Sequence, residues 1–180
     1  MDVAKTNVAD VMATWEADEL KVRANLGHAG VASPAEMLSL SGQELFDAMF
    51  AGDLPSAPIG KTLDFIPIRI EAGSAIFQGR PGEQHYNPLG SVHGGWFCTI
   101  LDSAVACAIH STLPAGKGYT TLEIKVNMIR ALTKDIPLVR AEAKTIHVGR
   151  QTATAEGRIV GPDGKLYAHA TTTCLLFDMK

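Results

Sequence analysis

Residues 85–110, HYNPLGSVHGGWFCTILDSAVACAIH, decide how the chain is read. The stretch begins as a polar, turn-rich loop and passes through His93-Gly94-Gly95. It then becomes a helix that is apolar on nearly every side from Trp96 to Ile109. A surface helix keeps one polar face, so a helix apolar all round is expected to be buried. Its one acid is Asp102, and carboxylates are rarely buried without a partner or a task. Asp102 is therefore the first candidate for chemistry.

Outward from this helix, the chain divides by pattern. Residues 1–57 read as a helical extension, and 58–180 as the main domain. Val8 to Ala24 suits an amphipathic helix with Val8, Val11, Met12, Trp15 and Leu20 as its apolar set. Ser33-Pro34-Ala35-Glu36 and Ser41-Gly42-Gln43-Glu44 are capping boxes. The second opens a helix carrying Phe46 and Phe50, ended by Gly52 and followed by a connector from Asp53 to Pro58. Thr62 to Glu71 reads as a strand in which Pro67 marks an edge or a bulge. Ser74 to Gln78 is a second strand, after an Ala72-Gly73 turn.

Beyond the central helix, Tyr119 to Arg130 alternates Leu122, Ile124, Val126 and Met128 with Thr121, Glu123, Lys125 and Asn127. Leu138–Val148, Gln151–Val160 and Leu166–Phe177 are three further strands. The expected class is α+β, with two strands, a buried helix and then four strands in an antiparallel meander. Ala104, Ala106 and Ala108 let those strands approach the helix.

Composition narrows the function. Lys plus Arg is 16 against 19 for Asp plus Glu, a net charge of -3, which argues against nucleic-acid binding. The first twenty residues carry acids where a signal peptide is basic, and no apolar run is long enough to cross a bilayer. Cys98, Cys107 and Cys174 form no CxxC pair and read as small buried hydrophobes. A cytoplasmic protein without membrane attachment is expected. No histidine has metal-ligand spacing, with His85 and His147 in loops and His28, His110 and His169 solvated or structural. Neither a phosphate loop nor a GxSxG elbow appears.

The combination of Asn87-Pro88-Leu89-Gly90-Ser91-Val92-His93-Gly94-Gly95, Asp102 nine positions after the histidine, and Thr121 on the next strand resembles the hot-dog fold thioesterases of the PaaI-like, phenylacetate-pathway type. The resemblance covers roughly residues 60 to 177. It implies an antiparallel sheet wrapped around the central helix, a dimer or dimer of dimers, and hydrolysis of acyl-coenzyme A without metal or cofactor. By position it makes Asp102 the catalytic carboxylate and Gly94 the oxyanion-hole donor. Asn87 and His93 would orient substrate or water, with Thr121 near the acid. It assigns no role to residues 1–57.

Thioester hydrolysis needs a donor aimed at the developing oxyanion and a base or nucleophile to deliver the attack. A helix N-terminus offers free N–H groups, and Gly94 and Gly95 remove side chains that would keep a substrate from them. The same glycines would also serve merely to shape a tight turn. Gly94 and Asp102 are eight residues apart, about 12 Å at a rise of about 1.5 Å per residue. One chain cannot bring them together, whereas an antiparallel second copy could. Nucleophile and general base both remain open for Asp102.

Coenzyme A phosphates call for cations, and Arg80, Arg130, Lys134, Arg150 and Arg158 are the candidates, Arg150 from a hairpin tip. The helix with Phe46 and Phe50 is expected to cover the acyl pocket or a neighbouring subunit. Two other functions fit a hot-dog frame: a hydratase or dehydratase with His85 as base, and a non-catalytic acyl-CoA-binding protein.

Overall fold

The computed structural model describes residues 7–180; the first six positions of the extension lie outside the described residues. Four helices come first: α1 (Val8–Arg23), α2 (Pro34–Ser39), α3 (Gly42–Ala51) and α4 (Pro58–Leu63). Strands β1 (Phe65–Glu71) and β2 (Ser74–Gly79) precede the central helix α5 (Gly94–His110). Strands β3 (Lys117–Met128), β4 (Val139–Val148), β5 (Thr152–Val160) and β6 (Leu166–Asp178) follow it. All six strands form one antiparallel sheet in the order β1-β2-β4-β5-β6-β3. Each of them touches α5, so the sheet wraps the helix as the resemblance implies.

Small side chains make that wrapping possible. Ala141, Ala153, Ala155, Ala168 and Ala170 face the helix at 1% exposure or less, opposite Ala104 and Ala108. Gly157 is required there, since a Cβ on it would lie 2.9 Å from Val105 Cγ1. Close-packed interiors do not absorb such an overlap cheaply.

Several expectations need correction. The first strand begins at Phe65 instead of Thr62, because Pro58 opens the short helix α4 from its first position. Asp64 ends that helix in the left-handed region, at φ 51. Pro67 does both things expected of it, since β1 is an edge strand and its register shifts between Pro67 and Arg69. Only β4–β5–β6 form a meander. The strand after the helix crosses to the far edge and pairs with β6.

A bulge in β3, between Thr121 and Glu123, changes which residues face the helix. Tyr119 and Thr121 face inward before it, and Ile124 and Val126 after it. Leu122, expected on the inner face, is 58% exposed. His147 lies within β4, not in a loop, and is exposed.

Helix α1 packs by charge more than by grease. Leu20 is 72% exposed, while Trp15 and Glu19 are buried. Gln78 on β2 and Arg140 on β4 are register partners on the face away from α5. Gln78 Nε2 donates to Glu19 Oε2 at 2.8 Å, and Arg140 Nε to Gln78 Oε1 at 3.0 Å. The Arg140 guanidinium also lies 4.7 Å from the Trp15 ring centre and bonds Asp18 at 2.7 Å. Burial pushes the Glu19 carboxyl up, but hydrogen bonds from Arg80, Arg23 and Gln78 outweigh it and hold the group below its usual range.

The remaining helices pass round the β1 edge. Both capping boxes form as read, and Gly52 ends α3 at φ 89. Leu45, Phe46 and Met49 of α3 join the core. Gln43 Nε2 donates to the Ile70 carbonyl of β1 at 3.2 Å, and α1, α3 and α4 all contact that strand. The β1 border is thus covered, whereas the β3 border carries exposed Leu122, Met128 and the following Ile129.

His110, at the end of α5, is 7% exposed and lies between the rings of Phe46 and Tyr119, at 5.3 and 5.0 Å. Burial lowers its pKa to about 4. An unfolded imidazole titrates near ~6.5, so on acidification the unfolded chain binds this proton first. His110 should therefore contribute fully above about pH 6.5 and progressively lose about 3 kcal/mol of stability down to pH 4. Urea midpoints of wild type and His110→Phe, compared at pH 7 and 4.5, test this. The wild type should lose more, and equal losses would contradict the assignment.

Candidate active site

Helix α5 is not closed on every side. Trp96, Phe97, Ile100, Leu101, Ala104, Val105 and Ala108 are buried, but Gly95, Cys98, Thr99, Asp102 and Ser103 keep partial or full exposure. These open positions recur at helical spacing and form one stripe. The acid sits on that stripe.

Asp102 Oδ1 accepts a hydrogen bond from Thr121 Oγ1 at 3.0 Å. The inward register of β3 before its bulge aims Thr121 at the helix, with Tyr119 two residues earlier on the same side. Asp102, Thr121, Tyr119 and Cys107 all line a cavity of about 700 Å³. Its other walls come from β1, β2 and the N-terminal helices, and include Phe46, Met49 and Phe65. Phe46 therefore lines the cavity as expected of its helix, but Phe50 faces a different surface depression beside α1.

Two neighbours of the acid are held protonated. Burial, with the adjacent Asp102, pushes the Cys107 thiol up to about 12, which removes it as a nucleophile at neutral pH. Burial also raises the Tyr119 phenol, aided by Cys107, Cys174 and Asp102. Sequence reasoning missed Tyr119 and Cys107. Strand periodicity from Thr121 and helical spacing from Asp102 would have reached them.

Asn87, His93, Gly94 and Gly95 gather at the N-terminal end of α5, about two turns from Asp102. His93 is the N-cap, and its Nδ1 accepts from the Gly95 amide at 2.9 Å. First-turn amides have no acceptor within the helix; His93 takes the one at Gly95, and the one at Gly94 has no acceptor among the described residues. Gly94 also packs tightly, since a Cβ on it would lie 2.8 Å from Met128 Cε. Asn87 is occupied within its own turn. Its Oδ1 accepts from Leu89 N at 2.9 Å, and its Nδ2 donates to Ser91 Oγ at 3.2 Å. In this chain Asn87 and His93 shape the turn that presents Gly94. Neither they nor the two glycines line the cavity with Asp102.

Among the candidate cations, Arg80 bonds Glu19 at 2.9 Å, Arg158 bonds Glu142 at 2.9 Å, and Lys134 pairs with Glu83. Arg130 and Arg150 are exposed and make no ion pair among the described residues.

His85 is buried in a short turn instead of lying in an open loop, and its ring is 5.8 Å from that of Trp96. Its Nδ1 accepts from Gly82 N at 3.2 Å, and its Nε2 is buried with no partner among the described residues. Burial lowers its pKa, with Asp64 opposing. The ring does not line the cavity that holds Asp102. Among the described residues no cluster of His, Cys, Asp and Glu could hold a metal ion, and no helix is long and apolar enough to cross a membrane.

The thioesterase superfamily model matches residues 89–168, from the loop before α5 into β6. A 1,4-dihydroxy-2-naphthoyl-CoA hydrolase of Listeria monocytogenes is 27% identical over 106 residues, 59% of this chain and 85% of that protein. A Pseudomonas aeruginosa protein that carries an esterase name is 30% identical over 106 residues, 57% of this chain and 72% of its own length. A phenylacetic acid degradation-related protein of Ralstonia eutropha superposes with a TM-score of 0.67 at 29% identity, over 73% of this chain and 98% of that one. A point mutant of the phenylacetic acid degradation protein PaaI of Thermus thermophilus gives a TM-score of 0.59 at 28% identity, over 66% and 97%.

Proposed function

The chain belongs to the thioesterase superfamily and has its hot-dog fold, and from that membership we propose that it hydrolyses acyl-CoA thioesters to a free acid and coenzyme A. The observation that carries the reading is the cavity-lining Asp102, its carboxylate held by Thr121 at 3.0 Å. The carboxylate attacks the thioester carbonyl directly, or draws a proton from the water that does. The carbonyl oxygen becomes an oxyanion, the C–S bond breaks, and the thiolate leaves as coenzyme A. On the first route a mixed anhydride of Asp102 and the acyl group forms and water hydrolyses it. On the second the water oxygen enters the acid directly. On both, water also supplies the proton that the departing thiolate takes up. No metal or cofactor enters this scheme.

The oxyanion requires a donor, and the open Gly94 amide at the positive end of α5 suits it. Both groups sit on one unbroken helix, eight residues apart, so the pair that works together comes from two chains. A second copy fits against the β3 border, where Leu122, Met128 and Ile129 are exposed beside the open stripe of α5. Each site of a two-fold dimer then takes Asp102 from one chain and Gly94 from the other. Arg130 and Arg150, which make no ion pair among the described residues, serve the coenzyme A phosphates. Asn87 and His93 keep the Gly94 turn in shape, and Gly95 leaves room for the substrate.

A panel of acyl-CoAs followed by free-thiol release tests the reading, with thiol release expected from at least one member. Binding without turnover of any member would make the chain an acyl-CoA-binding protein instead. Hydration of an enoyl-CoA without thiol release would make it a hydratase.

A further inference from the structure

We infer that helices α3 and α4 form the far wall of the acyl pocket, and that the preferred substrates carry a bulky apolar acyl group, octanoyl or larger. This deepens the thioesterase reading and rests on it for the identity of the ligand. One continuous cavity runs from Asp102 to side chains contributed from outside the helix-and-sheet core. Phe46 and Met49 come from α3 and Ile59 from α4, facing Phe65 and Ile70 of β1 and Phe77 of β2. About 700 Å³ is room for roughly twenty water-sized groups at about 30 Å³ each. A methylene is close to that size, so an acetyl or propionyl group would leave most of the cavity unfilled.

The interior chemistry also selects for the acyl end of the substrate. Its walls are mainly apolar, and apart from Asp102 its acidic and basic residues are Arg23, Lys61 and Asp64. Arg23 is already engaged by Glu19 at 2.7 Å, with Asp64 at 3.9 Å. Lys61 makes no ion pair among the described residues and leaves one cation beside the opening. Inside the apolar walls a chain gains affinity with every buried methylene. That gain is about threefold to fourfold per group.

The test is the ratio of kcat/KM for octanoyl-CoA to that for propionyl-CoA, measured on the full chain. In the wild type it should exceed about a hundred, given several added methylenes. Met49→Trp, which fills the pocket from α3, should lower the ratio at least about tenfold. Ile59→Trp lies at a half-exposed position on the pocket wall, where bulk needs no core rearrangement, and should lower it in the same direction. A flat wild-type ratio, or variants that lower both substrates equally, would overturn the inference.

Calorimetric binding of the same two acyl-CoAs separates this claim from the hydrolysis reading. If no acyl-CoA is turned over, but octanoyl-CoA binds more tightly than propionyl-CoA and Met49→Trp removes the difference, the pocket claim stands and the reaction is wrong. No dependence of binding on chain length would end the pocket claim.

Discussion

Asp102→Asn is expected to lower kcat for thiol release by about a thousandfold, within the range for losing a positioned base or nucleophile. The substitution keeps the shape of the side chain. The asparagine oxygen can accept the bond that Thr121 Oγ1 makes to Asp102 at 3.0 Å, so the cavity wall should hold. Urea unfolding should then shift by less than about 0.5 kcal/mol, as for a substitution that breaks no packing. Activity within tenfold of wild type would remove Asp102 from the chemistry. A single turnover in oxygen-18 water also separates its two possible roles. Heavy oxygen found in Asp102 marks a nucleophile whose anhydride water opens at the aspartyl carbonyl, whereas a general base never acquires it.

The second large effect tests where the site lies. Gly94→Pro removes the N–H offered to the oxyanion while leaving a residue suited to the first position of a helix. The preceding His93 is at φ -63 and ψ 140, an extended conformation that a following proline accepts. The new ring meets the end of the Met128 side chain, which is half exposed and can swing aside. Loss of one oxyanion donor predicts a fall of about a hundredfold to a thousandfold.

Two dead proteins should then rescue each other. When Asp102→Asn and Gly94→Pro chains are mixed equally and allowed to exchange, half the dimers are mixed. Each mixed dimer has one intact site of two, so activity should recover to about one quarter of wild type. A mixture as inactive as its parents, with exchange demonstrated by mass, would show that the site is not shared.

Much of this architecture was legible in the chain. The HGG entry, the apolar helix and the single acid located the centre, and alternation located most of the strands. Local rules failed where one residue altered the count or where a distant partner decided burial. The extra residue at Leu122 reverses the facing of β3, and no periodicity announces it. Thr121, which alternation grouped with the polar face, is thereby the partner of the acid. Glu19 lies outside the apolar set of its helix and is nonetheless buried, because Gln78, some 60 positions away, meets it across the sheet. Asn87 matched its motif, yet its side chain closes its own turn. Helix α4 was missed although Pro58 marked its start, because six residues give too little periodicity to read.

If copies join along β3, the unequal treatment of the two sheet borders would limit how large the assembly could become. A strand border left bare on both sides invites addition without end. Here the β1 border is sealed by the chain's own helices. Two copies joined along β3 would make a doubled sheet whose outer margins are both sealed, so growth in that direction stops after one step. The N-terminal helices would then act as terminators, allowing an unprotected apolar strand to serve pairing without becoming a seed for fibres.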